Sequence, residues 1–421
     1  MNLFRYKQLV LKVPILSLLL LFSCDDENER PSTDNSNTIY GTEARGEIPI
    51  SLESVMHVGI FENRGLHWME NSGVPWNSGY IYLVPGWADN WGLDEFNGNM
   101  AFDFMNECDR IGAVPVFEFY LLAEIEGGGE EYDKTTNAST MKRYFEEYML
   151  LLSRIKEFGK PVIILVEADG FAMMQQQTGG NPNAYSAVED TGIPELSGLP
   201  NTLAGWGLAF LELKKTMGVD KLSLGIHVSA WATGNDISYY STNIPLQPEV
   251  DETYNFLAPL GLTPNQTGLE FDFLVGDPSD RDADYYQVVL DTDKWWDTDT
   301  AASINSKSFN RYAEWLRLWN IKAGKRWILW QIAMGNEYHL NVANNGGPQQ
   351  GYKDNRVEYF LGDNSAYNLA KFANCGVIAL LFGQGAPDQA SFENDQDNHG
   401  NLYLKSRASE FYNRGGMKLK R

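Results

Sequence analysis

Acidic residues follow two short apolar segments of the chain, at intervals of two or three residues. Glu167 and Asp169 follow the first of these segments, and Asp277, Asp280 and Asp282 follow the second. Cleavage of a glycosidic bond needs one carboxyl group that is held protonated and a second that is held ionised. Because Glu167 lies next to an apolar run, desolvation should raise the pKa of its carboxyl group. We therefore predict that Glu167 is a general acid and that Asp277 or Asp280 is the base.

Both acidic groups also have simpler interpretations. Glu167 and Asp169 suit a structural ion pair at the end of a strand, and the later aspartates suit a loop neutralised by Arg281. Asp280 and Asp282 begin a D-x-D-x-D sequence similar to that of a calcium loop, but the glycine and the distal glutamate of such a loop are missing from it. We expect no metal and no cofactor. A metal-dependent hydrolase that uses the aspartates is a third, weaker hypothesis.

A second group of residues is suited to binding a neutral ligand that is rich in hydroxyl groups. Carboxylates and amides bond hydroxyls, and indole rings stack on the apolar faces of sugars. A lone histidine is as often structural as functional, and any single tryptophan is more often part of the core. The predicted substrate-binding residues are Glu118, Asp169, His227, Trp231, Gln331, Asn336 and Trp87.

These residues lie near the ends of short apolar segments that are typical of β-strands. Several segments are nearly continuous apolar runs, as expected of parallel strands that are covered on both faces. Amphipathic segments between them indicate helices at 141–155, 201–217, 309–321 and 355–373. The predicted strands are 55–61, 80–84, 114–120, 162–166, 222–228, 271–275, 327–332 and 377–382.

Strands that alternate with helices in this number predict an α/β protein, a (β/α)₈ TIM barrel with long βα loops. We place it in residues 46–421 as one domain. An open doubly wound sheet is the alternative, although the chain contains no G-x-G-x-x-G turn.

The barrel predicts which side chains meet. Because side chains alternate along a strand, Leu165, Glu167 and Asp169 should share one face, which places both acids in the barrel mouth. The fourth and sixth strands are two spacings apart, roughly 10 Å at ~4.8 Å per spacing. That gap leaves room for a water between Glu167 and Asp277, which favours an inverting reaction, while a retaining one stays open.

The first residues are typical of an export signal. Arg5, Lys7 and Lys12 precede an apolar core that ends at Cys24 in the sequence Leu-Phe-Ser-Cys, which resembles the lipobox of bacterial lipoproteins. We predict a signal peptide at 1–23, lipid on Cys24 and a flexible polar tether at 24–45. The protein would then be anchored in the bacterial cell envelope, at the outer membrane or cell surface. Ordinary secretion, with Cys24 incidental, is the alternative.

The composition of the chain limits the classes of molecule that it is expected to bind. Lys and Arg number 33 and Asp and Glu number 56, which gives a net charge of −23 and makes nucleic acid an unfavourable partner. The 3 cysteines do not suit a disulfide scaffold, and the 5 histidines lack the spacing of a zinc hydrolase. The remaining partners are a carbohydrate and, through the lipid, a membrane; the oligomeric state is open.

Five segments carry a resemblance to secreted bacterial lipoproteins with a (β/α)₈ glycoside hydrolase-like fold, a group of carbohydrate-associated barrel proteins. The resemblance covers about residues 55–400. It implies a glycoside hydrolase that acts on an extracellular poly- or oligosaccharide, and the alternative is a carbohydrate-binding surface lipoprotein without catalysis. The segments are VEAD at 166–169, HVSAW at 227–231, DPSDRD at 277–282, WQIAMGN at 330–336 and YKDNR at 352–356.

The sequence departs from the best-known retaining glycosidases of this fold. Those enzymes have an Asn-Glu pair at the end of strand four and a Glu nucleophile at the end of strand seven. Here Val166 precedes Glu167, and strand seven offers Gln331 and Asn336 instead. The usual double-displacement assignment therefore does not carry over, and the sugar, the linkage and exo or endo action stay open.

Overall fold

Eight parallel strands close into a barrel in which each strand pairs with the next along the chain, and the last pairs with the first. The computed structural model describes residues 38–62, 65–89, 96–126, 129–238, 244–296, 307–335, 352–383, 385, 390–392 and 402–421. The barrel strands are β2 (His57–Phe61), β3 (Ser78–Leu83), β4 (Val114–Phe119), β5 (Val162–Val166), β6 (Leu222–His227), β7 (Phe273–Gly276), β8 (Trp327–Ile332) and β9 (Val377–Phe382). The predicted (β/α)₈ TIM barrel is confirmed.

The strands form where the sequence is apolar on both faces. Every residue of β5 is buried, because its inner face fills the barrel and its outer face packs against helices. In the barrel interior, a Cβ atom at Gly225 would collide with the ring of Phe273, so glycine makes room there for a neighbouring aromatic side chain. The barrel interior is thus filled by side chains, as expected of this fold.

Helices surround the barrel and follow the predicted pattern, with one difference. The segment predicted as one helix at 355–373 forms two, because the chain at Gly362 is extended and a Cβ atom there would collide with Glu358. The helices are α1 (His67–Ser72), α2 (Asn99–Ile111), α3 (Glu131–Thr135), α4 (Ala138–Phe158), α5 (Gly170–Gln177), α6 (Leu203–Met217), α7 (Leu246–Leu257), α8 (Ala283–Leu290), α9 (Lys307–Ala323), α10 (Arg356–Leu361), α11 (Ser365–Asn374) and α12 (Tyr403–Asn413).

A small parallel pair, β1 (Ile39–Tyr40) with β10 (Lys418–Leu419), lies at the end of the barrel where the strands begin. Arg326, just before β8, holds this end together by donating to the carbonyl oxygens of Gly46 and Lys420. The first described residues of the chain therefore lie at the end of the barrel opposite the carboxyl ends of the strands.

Residues 36–421 form one compact unit. Cys108 and Cys375 are both buried and neither forms a disulfide. Within the described ranges, no helix is long and apolar enough to cross a membrane.

Candidate functional site

A cavity of about 1140 Å³ opens at the carboxyl ends of the barrel strands. Side chains from seven of the eight barrel strands, or from the loops that follow them, reach its wall. Its polar wall includes Asp169, Asp236, Asp277, Asp280, Gln331, Arg281, Lys294 and Arg356, and its aromatic wall includes Phe61, Tyr82, Tyr120, Trp231, Trp296 and Trp330. The cavity is larger than a typical pocket for a small ligand, which suits several sugar units rather than one.

Asp169 lies in this wall, at the residue before α5. The Tyr120 hydroxyl donates to its Oδ2 at 2.9 Å, and Tyr120 is the residue that follows β4. Burial raises the pKa of the Asp169 carboxyl, and the bond from Tyr120 opposes this by stabilising the charged form. The carboxylate of Asp169 thus has a donor that favours its ionisation.

Asp277 follows β7, and its carboxyl group is approached by its own backbone amide rather than by a side-chain hydroxyl. Its Oδ1 is enclosed and has no hydrogen-bond partner among the described residues. Burial raises the pKa of the Asp277 carboxyl well above its usual range, and the charge of Asp169 raises it further. Asp277 is therefore the group in the cavity that best retains its proton.

Asp280 is engaged by its neighbours. Its Oδ2 accepts from the Arg281 guanidinium at 2.5 Å, and its Oδ1 accepts from the Tyr286 hydroxyl. The structure thus places Asp280 in the wall as one half of an ion pair, which is the simpler interpretation that its sequence also allowed.

Glu167 does not line the cavity, and the predicted sharing of one face by Glu167 and Asp169 is wrong. The backbone of Glu167 has a φ of 50°, in the left-handed region that non-glycine residues rarely adopt. This conformation ends the alternation of β5 and directs the carboxyl group outward, to the Tyr144 hydroxyl of α4 at 2.8 Å. The group is fully buried, and burial raises its pKa to about 8.

Glu118 and His227 form a buried pair beneath the cavity floor. His227 Nε2 and Glu118 Oε2 are 3.0 Å apart, and neither residue lines the cavity. Burial lowers the pKa of His227 to about 3 and raises that of Glu118 well above its usual range, so burial favours the neutral form of both groups. Glu118 Oε1 accepts from the Ala168 amide at 3.1 Å, which places it behind Asp169 rather than against a ligand.

Gln331 lies in the cavity wall at the end of β8. Its Nε2 donates to the Tyr82 hydroxyl at 2.9 Å, and its backbone φ of 49° is the counterpart of the strained residue at the end of β5. Strained backbone of this kind often occurs at functional sites. Gln331 presents an amide, and not a carboxylate, at this point of the barrel.

Some tryptophans line the cavity, and others are buried in the core away from it. Trp231 is half-buried and lines the cavity, whereas Trp87 is fully buried in the core and does not reach it. The position of Trp87 therefore does not support its predicted role as a sugar platform. Trp296 also lines the cavity, but the Arg356 guanidinium covers its ring, 4.5 Å from the centroid.

Two predicted residues, Asn336 and Cys24, lie outside the described residues. In the described part of the chain, no three His, Cys, Asp or Glu side chains are grouped as metal ligands. The aspartates of the loop after β7 are instead separated: Asp282 turns away from the cavity and accepts from the amides of Gly335 and Ala390.

Sequence reasoning did not select several residues of the wall. Tyr82 and Trp330 belong to β3 and β8. Period-two alternation of Tyr80 and Tyr82 in β3 was an available signal, whereas the two tryptophans of β8 are three positions apart and show no such alternation. Lys294 and Arg356 reach the cavity from segments outside the strands. No local pattern predicts such an approach.

A closed (β/α)₈ barrel with a cavity of carboxyl and aromatic groups at its carboxyl end is thus the class that fold and site define. No family model matches the chain, and no curated protein sequence matches it.

Several solved structures are similar to this chain at low identity. A double mutant of an endo-β-1,4-mannanase from Cellulomonas fimi has 11% identity and a TM-score of 0.46, over 85% of this chain and 70% of that one. An exo-β-1,4-mannosidase from an Opitutaceae bacterium has 11% identity and a TM-score of 0.48, over 90% of this chain and 62% of that one. A D-allulose 3-epimerase from Methylomonas sp. has 11% identity and a TM-score of 0.37, over 86% of this chain and 97% of that one. These proteins differ in reaction, and likeness at this level adds nothing to the fold that the strand order defines.

Proposed function

We propose that this protein is a glycoside hydrolase that acts on an extracellular poly- or oligosaccharide. One observation carries the proposal: Asp169 and Asp277 share one cavity, but a hydroxyl donor opposes the rise in the pKa of Asp169, whereas the pKa of Asp277 is raised well above its usual range. A pair of carboxyl groups separated in this way is what glycoside cleavage requires. The half-buried Trp231 in the same wall offers an apolar face to a sugar ring.

The roles differ from those that the sequence alone suggested. Asp277, which keeps its proton, donates it to the glycosidic oxygen as the bond to the anomeric carbon breaks. Asp169, ionised beside Tyr120, takes a proton from the water that attacks the anomeric carbon from the other side. The two residues follow strands that are two spacings apart, roughly 10 Å at ~4.8 Å per spacing, which favours inversion.

Substrates with different leaving groups test these roles. Asp277→Asn should lower kcat by about 10²–10⁴-fold on a natural glycoside, because an amide cannot donate the proton. The loss should be smaller on an aryl glycoside with a good leaving group, which needs less protonation. Asp169→Asn should lower kcat about equally on both substrates, because water must be activated in either case.

The exposed Asp220→Asn serves as the control variant and should leave both rates unchanged. Equal losses on both substrates for Asp277→Asn and Asp169→Asn would contradict the assignment of acid and base. Full activity in Asp277→Asn would contradict the site.

A specific observation favours a second candidate, a carbohydrate-binding protein without catalysis. The end of β8 carries the amide of Gln331 where the known retaining barrels have a carboxylate, and an amide can bind a hydroxyl but cannot attack a sugar. A glycan panel distinguishes the two candidates. Binding by the wild-type protein with no release of reducing ends would favour the binding protein.

We also propose that lipid on Cys24 anchors the protein in the bacterial cell envelope. The support is the lipobox-like end of the apolar run in the sequence. Metabolic labelling with a fatty-acid analogue should mark the wild-type protein, and Cys24→Ala should lose both the label and the membrane association. Persistent labelling of Cys24→Ala would contradict the anchor.

A further inference from the structure

We propose that Glu167 is a positioning residue: its carboxyl group clamps the turn after β4, and the clamp keeps the Tyr120 hydroxyl on Asp169. The inference rests on the proposed function insofar as it makes Asp169 the base. It assigns Glu167 a role distinct from the proton donor that its sequence position suggested.

The amide side of the turn is held by Glu167 itself. Its Oε1 accepts from the backbone amides of Leu121 and Leu122, each at 3.2 Å, and from the Tyr144 hydroxyl at 2.8 Å. These two amides belong to the residues that directly follow Tyr120. The bonds therefore fix the chain at the point from which the Tyr120 side chain extends to Asp169.

The carbonyl side of the same turn is held from another element. Lys134 of α3 is 7% exposed, and its Nζ donates to the carbonyl oxygens of Leu122 at 3.0 Å and Ala123 at 2.6 Å. A turn held from both sides by buried charged or ionisable groups has little freedom to shift. A site needs such support because a displacement of about 1 Å can cost roughly 10²-fold in rate.

Glu167 also fixes Asp169 through the backbone between them. The left-handed conformation at Glu167 starts the turn into α5, and the next peptide is held on both sides. Glu118 Oε1 accepts from the Ala168 amide at 3.1 Å, and the Ser229 hydroxyl donates to the Ala168 carbonyl oxygen at 3.3 Å. The Glu167 carboxyl group thus positions Tyr120, and Glu118 and Ser229 help to position Asp169 through the peptide next to it.

The geometry at Glu167 distinguishes a positioning group from an acid. All three donors reach Oε1, and the Leu122 amide also contacts Oε2 at 3.3 Å. An un-ionised carboxyl group therefore satisfies all three through its carbonyl oxygen, Oε1, while Oε2 carries the proton. Burial raises the pKa of Glu167 to about 8, which is consistent with that form at pH 7. A glutamine offers the same carbonyl oxygen and nearly the same shape, but a leucine offers no acceptor at all.

Two substitutions at Glu167 therefore test the proposal. Glu167→Gln should keep kcat within about threefold of wild type, because the clamp persists. Glu167→Leu should lower kcat by about 10–10²-fold with little change in KM, because the turn and Tyr120 are displaced. Loss of the Tyr120 bond should also raise the pKa of Asp169 and shift the acidic limb of the kcat/KM profile to higher pH. Tyr120→Phe is the matched variant and should show the same shift with the clamp intact.

The pKa of Asp169, followed by ¹³C NMR of its carboxyl group, separates this proposal from the proposed function. The titration needs no turnover, so Glu167→Leu must raise this pKa even if the protein cleaves no glycan. An unchanged pKa would overturn the clamp. A loss in Glu167→Gln as large as that in Glu167→Leu would overturn it as well, in favour of an acid. If Glu167→Leu does not fold, Lys134→Met is the second test. It removes the hydrogen bonds to the carbonyl oxygens of Leu122 and Ala123 and should also raise the pKa of Asp169.

Discussion

Asp169 and Asp277 are the same side chain in two surroundings, and a hydroxyl donor reaches the carboxyl group of Asp169 but not that of Asp277. The Tyr120 hydroxyl favours the charged form of Asp169, while Asp277 has an enclosed oxygen without a partner in the described part of the chain. Burial alone raises the pKa of a carboxyl group, so a neighbouring donor decides which of two buried acids ionises first. The acid and base of the proposed reaction follow from this difference.

The sequence predicted the neighbourhood of these acids better than their roles. Chain order placed Asp169 and Asp277 after barrel strands, and the structure brings both into one cavity. The alternation rule failed at Glu167 because it assumes an extended backbone, and the φ there is 50°. Nothing in the local sequence signals that conformation, since its partners at Leu121, Leu122 and Tyr144 belong to other elements.

Trp231 provides a prediction at the scale of one side chain. Trp231→Ala should raise KM for an oligosaccharide by about two- to twelvefold with kcat little changed, because an aromatic stacking contact contributes about 0.5–1.5 kcal/mol. Steady-state kinetics, or titration calorimetry with a bound oligosaccharide, measures the loss. Trp231→Phe keeps a ring and should lose less. A fall in kcat at unchanged KM would contradict a platform that binds the sugar before the reaction.

At the scale of elements, the strands were predictable and the loops were not. An apolar run such as β5 is specified by its own residues, because it is buried on both faces whatever its neighbours are. The loops at the cavity depend on contacts between distant segments. Asp282, after β7, accepts at 2.9 Å from the amide of Gly335, after β8, and at 2.9 Å from that of Ala390, after β9. Such a link has no signature in the sequence.

Asp282 should therefore stabilise three loops at once. Asp282→Ala leaves two buried amides without an acceptor, at a cost of about 1–3 kcal/mol for each in the free energy of unfolding. Urea unfolding followed by tryptophan fluorescence measures this change. Asp282→Asn retains one acceptor, so its free energy of unfolding should lie between those of the wild-type protein and Asp282→Ala. The exposed Asp220→Ala is the control and should stay within about 0.5 kcal/mol of wild type. An equally small loss of stability in Asp282→Ala and Asp220→Ala would mean that water replaces the hydrogen bonds that Asp282 accepts.

At the scale of the whole molecule, a chain of net charge −23 buries several carboxyl groups that form no salt bridge with a Lys or Arg side chain of the described residues. Burial raises the pKa of Glu118, Asp277 and Asp282 well above the usual range and that of Glu167 to about 8. The folded chain thus holds protons that the unfolded chain releases. Two buried histidines act in the opposite sense, since burial lowers the pKa of His57 to about 4 and that of His227 to about 3.

The sign of the resulting pH dependence follows from these shifts. A carboxyl group with a raised folded pKa contributes stability that is complete below its unfolded pKa, 4.5 for a glutamate, and that is lost as the pH rises through its folded value. The histidines contribute stability above 6.5 that is lost only as the pH falls toward their folded values. Between pH 6.5 and 8.5 the contribution of the histidines approaches its maximum, while carboxyl groups with raised pKa values, among them Glu167 at about 8, lose theirs. The carboxyl groups should dominate, so the free energy of unfolding should fall as the pH rises.

Thermal unfolding at pH 6.5, 7.5 and 8.5 in 0.5 M NaCl measures this slope, because salt at that level screens repulsion between exposed charges but not the burial of a carboxyl group. Glu118→Gln keeps an acceptor for the Ala168 amide and removes one buried titrating group, so its Tm should depend less on pH than that of wild type. The exposed Glu252→Gln is the matched control and should reproduce the wild-type slope. A slope in Glu118→Gln identical to that of wild type would show that Glu118 is already ionised in the folded protein. Glu118 would then carry a negative charge beneath Asp169, and this charge would oppose the ionisation that the proposed base requires.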